Sequence, residues 1–281
     1  MSNLDFNNKE QIINAMNETL EFITSKINYK PEIAIVLGSG LGNLVEKVEN
    51  PTIIPYTEIP NFPKPTVEGH GGNLYMGELG GKKVLLMQGR NHYYEGYDTP
   101  TITFPIRVFA KMGIKNIILT NACGSCTKHL VPGDLMLIED HISFLCPSPL
   151  RGAHLDELGP RFTDMSEPYS KKLMSIAEQS SKELNIPLKK GVYGYWHGPT
   201  YETGAEINAF IALGADVVGM STVAENMIAV NAGMNVLGIS CITNMACIFK
   251  TGSINHEEVV EMGLQVSEKF MNLVTDIIKK I

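Results

Sequence analysis

The sequence predicts an α/β protein built as one domain over residues 1–281, with a central mixed sheet covered by helices on both faces. Short apolar runs typical of strands alternate along the chain with segments of helical spacing, an order that favours such a three-layer sheet. The 281 residues, 44% of them hydrophobic, suffice for one large core or two modest ones. Because no low-complexity linker or fixed-period repeat divides the chain, we expect one domain.

The N-terminal segment predicts an amphipathic helix, because apolar residues recur at helical spacing from Ile12 to Ile27. Two apolar runs that flank Gly80-Gly81 predict a hairpin, and Pro100 to Met112 predicts a helix. The proline-rich stretch from Pro51 to Pro65 is typical of a loop. The predicted strands are Ile33 to Leu37, Asn73 to Met76, Lys83 to Gln88, Asn116 to Thr120, Asp134 to Glu139, Gly191 to Trp196, Ala215 to Val218 and Val236 to Cys241.

Three residue pairs have the spacing at which a side chain caps the exposed amides of a helix start. They are Thr203 with Glu206, Thr222 with Glu225, and Asn255 with Glu258. Each pair predicts a helix that begins just after its first member.

Charge and composition exclude several classes of function. A formal charge of -7 and a pI near 5.5 argue against nucleic acid as a partner. The acidic, asparagine-rich N-terminus lacks the pattern of a secretory signal, so we expect a cytoplasmic protein. Polar residues interrupt the apolar stretch from Val217 to Phe249, which predicts core strands and a helix instead of a membrane span. Cys123 and Cys126 have the spacing of a redox pair, but we favour buried thiols, because the usual setting of such a pair is absent.

Polar side chains follow several predicted strands, where an α/β sheet binds its ligands. The densest group lies between Gly89 and Tyr97, directly after an apolar run, and contains Arg90, His92 and Tyr94. These side chains suit an oxyanion, a proton exchange near neutral pH and a sugar hydroxyl. Each residue alone could belong to an ordinary solvated loop, but their density at a strand end favours a binding site.

The run Gly38-Ser39-Gly40 predicts an anion site, because glycine backbone amides approach an anion closely and the helix expected after them adds its positive end. A tight turn without a ligand is an equal alternative for this run alone. It is neither a Walker A motif nor a complete Gly-x-Gly-x-x-Gly, and Glu58 does not follow a strand, which argues against a dinucleotide-binding oxidoreductase. Four residues from other strand ends or loops join Ser39 as possible phosphate ligands, and they are Arg90, the backbone of Ala122, Ser221 and His70.

At this point the chain resembles the trimeric purine nucleoside phosphorylases over nearly its whole length. The matching blocks are Gly38 to Gly42, Gly69 to Gly72, Gln88 to Tyr97, Asn121-Ala122, Asp134 to Ile142, Pro149 to Gly152, Gly198 to Thr203, Gly214 to Asp216, Gly219 to Thr222, Ile242 to Asn244 and Asn255 to Val259. The resemblance implies the fold of the purine and uridine phosphorylases and a purine nucleoside phosphorylase activity.

The resemblance also implies a role for individual residues, no metal or organic cofactor, and a homotrimer. Phosphate, a co-substrate, would be held by Ser39, His70, Arg90, His92, Ala122 and Ser221. Ribose would be held by Tyr94, Met220 and His256, the purine by Tyr201, Glu202 and Asn244, and Phe162 would enter a neighbouring subunit's site. His92, Glu202 and Asn244 would act in catalysis.

The chemistry of the reaction agrees with these roles. Cleavage of the bond between sugar and purine needs an anion beside the sugar and a donor near N7 of the base. The amide of Asn244 can donate to N7, whereas the carboxylate of Glu202 accepts from N1–H of a 6-oxopurine and repels adenine, so we expect inosine and guanosine as substrates. For both residues a merely structural role is the alternative.

The same residues argue against two rival functions. A methylthioadenosine-type phosphorylase would need an acid at Asn244, and a non-catalytic purine-binding protein would need no phosphate cage. Trp196-His197, Cys146 to Ser148 and Met245 to Ile254 depart from the family pattern, which leaves the order of preference among purines open.

Overall fold

The computed structural model of the chain describes residues 4–64, 66, 71–249 and 255–281. Seven α-helices and nine strands follow one another within those residues. They are α1 (Lys9–Thr24), β1 (Ile33–Leu37), β2 (Glu49–Pro55), β3 (Asn73–Leu79), β4 (Lys82–Gln88), α2 (Thr99–Ile102), α3 (Phe104–Lys111), β5 (Asn116–Ser125), β6 (Leu135–Ile142), α4 (Lys171–Leu184), β7 (Leu188–Tyr195), α5 (Gly204–Leu213), β8 (Val217–Gly219), α6 (Val223–Asn231), β9 (Asn235–Met245) and α7 (His256–Lys280).

All nine strands form one mixed sheet in the order β2-β3-β4-β1-β5-β8-β7-β6-β9. Strands β4, β1 and β5 run parallel, and β2 and β3 add an antiparallel edge. Strand β9 also pairs in parallel with β5, so the last five strands close on themselves. Strand β5 therefore lies at the centre, bonded to β1, β8 and β9.

Helices cover both faces of the sheet, which confirms the predicted three-layer α/β/α class. One core joins the sheet to α1, α3 and α6, with Met16, Phe109 and Ile228 buried. The other joins it to α4 and α7, with Leu173 and Phe270 buried. The central strands are apolar on both sides, as β1 illustrates with five buried residues in succession.

Capping explains where several helices begin. Thr203 and Glu206 form the expected reciprocal box, in which each side chain accepts from the other residue's backbone amide. Asn255 accepts from the amide of Glu258 at the start of α7, as its spacing predicts. The pair Thr222 and Glu225 does not follow the pattern, because Thr222 makes no capping bond with its side chain.

Three expectations from local sequence are corrected. Residues 49–55 form strand β2 instead of a loop, since β2 is the edge strand and an edge tolerates prolines such as Pro51. The helix expected over Pro100 to Met112 is broken at Thr103 into α2 and α3. Strands β5 and β9 run several residues beyond their expected ends, because they pair with each other along that length.

In the part of the chain that is described, no helix combines the length and the apolar character that crossing a bilayer requires. The five cysteines are unpaired thiols, and four of them are buried. Burial raises the pKa of Cys123, and it raises that of Cys126 to about 12. Both cysteines are therefore protonated at neutral pH, which agrees with buried thiols and not with a redox pair.

Candidate active site

A cleft opens where the carboxyl ends of β1, β4 and β5 meet. It encloses about 710 Å³ of space, including the open solvent at its mouth. Most of the residues predicted to bind phosphate, ribose or purine line it. They are Ser39, Arg90, His92, Tyr94, Ala122, Tyr201, Glu202, Met220, Ser221, Asn244 and His256.

The glycine run after β1 is held in place by close backbone contacts. The Gly38 amide donates to Oγ1 of Thr120 at 3.1 Å, and a Cβ on Gly38 would lie 2.7 Å from the Asn121 Cα. Gly40 has a φ of +74° and touches α7, where a Cβ on Gly263 would lie 2.7 Å from the Gly40 Cα. Glycine is thus required for this loop to lie between β5 and α7.

The element that follows the loop corrects one expectation. Residues Gly42–Lys47 form a 3-10 helix of 6 residues instead of an α-helix. Because so short a helix has little dipole, its positive end contributes little to anion binding. The anion site must depend instead on the side chains and amides that surround Ser39.

Arg90 follows β4 through Gly89, whose φ of +95° turns the chain into the cleft. The buried hydroxyl of Tyr56 donates to the carbonyl of Gly89 at 2.9 Å and holds this turn. The guanidinium itself is 2% exposed and forms an ion pair with Glu225 in α6. Its Nη1 also donates to the carbonyl of Thr120.

His92 is held by Glu95, three residues further along. The Glu95 carboxylate accepts from the backbone amide of His92 at 2.6 Å and lies 3.0 Å from Nδ1 of its ring. Thr66 donates to the same carboxylate through its amide and its hydroxyl, both at 2.7 Å. Burial acts to raise the pKa of Glu95, but these hydrogen bonds outweigh it and lower that pKa to about 2. The carboxylate is therefore ionised.

Burial is also the main influence on His92, and it lowers the pKa of the imidazole below its ordinary value of 6.5 even though Glu95 acts in the opposite direction. His92 is thus neutral at pH 7. In a neutral ring whose Nδ1–H donates to Glu95, Nε2 is the nitrogen that accepts a hydrogen bond. The ring stacks on Tyr94, with 4.7 Å between centroids and 12° between planes.

Ser221 lies between β8 and α6, next to a backbone outlier. Thr222 has a φ of +69° and a ψ of -47°, a conformation that a β-branched residue rarely adopts. The Ser221 carbonyl accepts from the Val223 amide at 2.7 Å. The Thr222 hydroxyl accepts from Nδ2 of Asn121 at 3.0 Å. The Tyr193 hydroxyl accepts from the Ser221 amide at 3.2 Å. Backbone strain is therefore concentrated beside a predicted phosphate ligand.

Glu202 and Tyr201 reach the cleft from the segment between β7 and α5. Burial raises the pKa of Glu202 above its ordinary value, and the nearby Glu206 adds to the shift. Tyr201 is 38% exposed at the mouth of the cleft. A carboxylate with a raised pKa in a cleft is typical of a functional site.

Asn244 belongs to the last part of β9, opposite Gly124 of β5, where a register shift interrupts the pairing. Its Oδ1 accepts from the Thr243 hydroxyl at 3.0 Å, and its Nδ2 donates to the Met245 carbonyl at 3.2 Å. A Cβ on Gly124 would lie 3.0 Å from Nδ2. The absence of a side chain at Gly124 thus leaves room for the amide.

Met220 and His256 complete the lining. A side chain on Gly198 would lie 2.5 Å from the Met220 sulfur and 3.0 Å from Tyr94, so Gly198 permits those two residues to approach. His256 is the first residue of α7 and is exposed at the mouth of the cleft.

Two further predicted residues are His70 and Phe162. His70 lies outside the described residues. Phe162 is 92% exposed. In the unusual segment Trp196-His197, Trp196 packs against Phe210 and donates to the Thr200 carbonyl at 2.6 Å. Of the unusual segment from Met245 to Ile254, only residues 245–249 are described.

Sequence reasoning missed the roles of the residues that hold the predicted binding residues in position. The capping pattern correctly placed Glu225 in the first turn of a helix, but it missed the ion pair of Glu225 with Arg90. Tyr193 packs in the core, and its hydroxyl also accepts from the Ser221 amide. Glu95 lay inside the Gly89 to Tyr97 motif, and its spacing from His92 was the available signal. Among the described residues, no group of three or more His, Cys, Asp or Glu could hold a metal ion.

Comparisons with known proteins identify relatives over most of the chain. Residues 32–279 match the family model described as the phosphorylase superfamily. Purine nucleoside phosphorylase 1 of Bacillus subtilis is 47% identical over 92% of this chain and 95% of its own length. The enzyme of the same name from Geobacillus stearothermophilus is 45% identical, with 95% and 97% covered.

Solved structures of Schistosoma mansoni purine nucleoside phosphorylases superpose on the chain. Isoform 2, in complex with cytosine and ribose-1-phosphate, has a TM-score of 0.90 at 40% identity, covering 95% of this chain and 96% of that one. A complex with adenosine has a TM-score of 0.90 at 38% identity, covering 96% and 98%. The chain belongs to the phosphorylase superfamily. The resemblance to the purine nucleoside phosphorylases, and with it the pentosyltransferase class of enzyme, is confirmed.

Proposed function

We propose that this member of the phosphorylase superfamily cleaves 6-oxopurine ribonucleosides and 2'-deoxyribonucleosides with inorganic phosphate. Inosine and guanosine are the expected ribosides, and the products are the free base and α-(deoxy)ribose 1-phosphate. One observation carries the proposal, a single cleft lined both by oxyanion donors and by a carboxylate and an amide suited to a purine.

The donors that follow β1, β4 and β8 suit a phosphate anion. Arg90 offers N–H groups of its planar guanidinium, and Ser39 and Ser221 offer hydroxyls in the same cleft. Because His92 is neutral, with Nε2 as its acceptor, it suits the O–H of a hydrogen phosphate. The anion would then keep a charged oxygen for attack on the sugar.

The other end of the cleft suits a departing purine. As the bond between C1' and N9 breaks, its electron pair moves onto the base and the sugar becomes cationic. Asn244 would donate to N7 and stabilise the negative charge, and an ionised Glu202 would accept from N1–H. Phosphate oxygen then bonds to C1' from the face opposite the base, which converts a β-nucleoside into an α-sugar phosphate.

The spacing along β5 agrees with this order of groups. Arg90 bonds to the carbonyl of Thr120, and Asn244 lies opposite Gly124, four residues further along the strand. Four residues of extended strand span about 13 Å, enough for an anion, a pentose and a base in line. The pentose would lie between the anion and the base, in contact with Tyr94, Met220 and His256.

Substrate preference rests on Glu202 and Asn244. A carboxylate facing unprotonated N1 repels adenine, and an amide serves a 6-oxo group better than an acid would. This argues against a methylthioadenosine-type enzyme. The adenosine in one Schistosoma mansoni structure is a property of that protein, and it makes the inosine to adenosine ratio the informative measurement here.

The proposed reaction needs neither a metal nor an organic cofactor, because phosphate is itself the nucleophile. We also propose a cytoplasmic homotrimer in which Phe162, 92% exposed in one chain, enters a neighbouring subunit's cleft. An exposed phenylalanine is costly in water, and a partner's cleft would bury it.

The test is to incubate the purified protein with inosine, with and without orthophosphate, and to follow hypoxanthine by absorbance and the sugar phosphate by phosphorus NMR. We expect hypoxanthine only when phosphate is present, in equal amount to α-ribose 1-phosphate. Release of hypoxanthine without phosphate would make the protein a hydrolase, and no release from inosine or guanosine would remove the proposal.

A further inference from the structure

A buried carboxylate behind the phosphate cage has no place in the proposed reaction. Glu225 lies in the first turn of α6, and Arg90 lies 135 positions earlier in the chain. Their side chains are 6% and 2% exposed, so neither charge is solvated by water. A buried ion pair need not stabilise a fold, because removing two charges from water costs free energy. Its presence beside a binding site therefore calls for a functional reason.

The contacts fix the guanidinium in one orientation. Nε donates to Oε1 of Glu225 at 2.9 Å, and Nη2 donates to Oε2 at 2.8 Å. Nη1 donates to the carbonyl of Thr120 in β5. All three nitrogens therefore have an acceptor from the protein, and the plane of the guanidinium is defined by β5 and α6 together.

We infer that Glu225 is a positioning residue, which by holding Nε and one N–H of Nη2 directs the other N–H groups of the Arg90 guanidinium toward the phosphate and so sets the affinity for that anion. The inference rests on the proposed function, since it needs phosphate at Arg90. A two-point contact between a carboxylate and a guanidinium restricts both rotation and translation, unlike a point charge. Arg90 is thus pre-oriented before the anion binds, and less conformational freedom is lost on binding.

A second role for Glu225 predicts the opposite result. If the carboxylate served only to offset the charge of Arg90, its removal would make the cleft more positive and would tighten phosphate binding. Orientation and charge can therefore be separated by two substitutions. Glu225→Gln keeps the size but loses the charge and one acceptor, and Glu225→Asp keeps the charge but is one methylene shorter.

The experiment measures steady-state kinetics of both variants with inosine and inorganic phosphate, each varied in turn. For Glu225→Gln we expect the KM for phosphate to rise about 10- to 100-fold, the range that follows from a small misplacement of a binding group. The KM for inosine should stay within about 2-fold of the unsubstituted enzyme, since Glu225 does not line the purine end. Glu225→Asp should also raise the KM for phosphate, because the shorter side chain cannot keep both contacts.

The neighbouring residue offers a matched control. Asn226 is fully buried in the same turn of α6 and donates to the Pro168 carbonyl at 2.6 Å, away from Arg90. Asn226→Ala should lower the Tm while leaving the KM for phosphate unchanged. The rise in Tm caused by added phosphate measures binding without turnover, and it should need more phosphate in both Glu225 variants.

Several results would overturn the inference. They are a lower or unchanged KM for phosphate in Glu225→Gln, a Glu225→Asp enzyme equal to the unsubstituted one, or a raised KM in Asn226→Ala as well. If both Glu225 variants lack a cooperative unfolding transition while Asn226→Ala keeps one, the pair is required by the fold and the inference fails. An unsubstituted protein that does not cleave inosine with phosphate would instead refute the proposed function.

Discussion

Substitution of Asn244 by aspartate tests base recognition directly. The side chain of Asn244 is 8% exposed, with Oδ1 accepting from Thr243 and Nδ2 donating to the Met245 carbonyl. Asn244→Asp keeps the shape but removes both N–H donors. A carboxylate oxygen then faces the Met245 carbonyl, and no group at this position can donate to N7 of the departing base.

The size of the effect follows from the hydrogen bond that is lost. A bond to a partner that becomes charged contributes about 1.5–3 kcal/mol. At about 1.4 kcal/mol for each factor of ten, kcat/KM for inosine should fall about 10- to 150-fold. Adenosine should lose less, because the new carboxylate accepts from its 6-amino group. The ratio of kcat/KM for inosine to that for adenosine should therefore fall, by less than the loss of about 10- to 150-fold for inosine itself.

The assay measures kcat/KM for both nucleosides at saturating phosphate, in the unsubstituted enzyme and in the variant. Asn235→Asp is the matched control, since Asn235 begins the same strand, is exposed and bonds to Asn116 far from the cleft. That control should leave the ratio unchanged. An unchanged ratio in Asn244→Asp, with the Tm preserved, would remove Asn244 from base recognition.

Three further results are expected. Because burial raises the pKa of Glu202, kcat/KM for inosine should fall on acidification through a pKa above the ordinary 4.5. The Glu202→Gln variant should not show this fall at acidic pH. If the fall persists in that variant, it belongs to another group. Gly263→Ala would put a Cβ 2.7 Å from the Gly40 Cα, so it should destabilise the fold by about 1–3 kcal/mol and raise the KM for phosphate. The control Ser267→Ala, on the same helix, should change neither the stability nor that KM. A Gly263→Ala protein more stable than the unsubstituted one would contradict the contact. Light scattering should give the mass of three chains, and Phe162→Ala should raise the KM for nucleoside; a fully active monomer would exclude the proposed trimer.

Much of the site could be predicted because the ends of strands are local features. The apolar run Ile33–Leu37 gives way at once to Gly38-Ser39-Gly40, and Lys82–Gln88 gives way to Arg90. Parallel strands bring such ends to one edge of a sheet, so residues distant in sequence meet without any special contact between them. Arg90 and Ser39 thus line one cleft, as the strand pattern indicates.

The prediction failed where a long-range partner changed the meaning of a local pattern. Thr222 and Glu225 have the spacing of a capping box, but Glu225 gains more from the buried guanidinium of Arg90 than from a backbone amide. Residues 121–124 looked like a loop after a strand, yet pairing with β9 extends β5 through them. Pro51 looked like a loop residue, but an edge position leaves its missing N–H without consequence.

By itself the sequence determined the alternation of strands and helices, the glycine turns and the chemical character of each strand end, because those depend on neighbours within a few residues. Only the tertiary structure decided which acid holds Arg90, which acid holds His92, and that Gly263 lies against Gly40. The reason is that an ion pair or a close backbone contact depends on the distance between atoms of separate elements. That distance is set by the packing of the whole sheet and its helices.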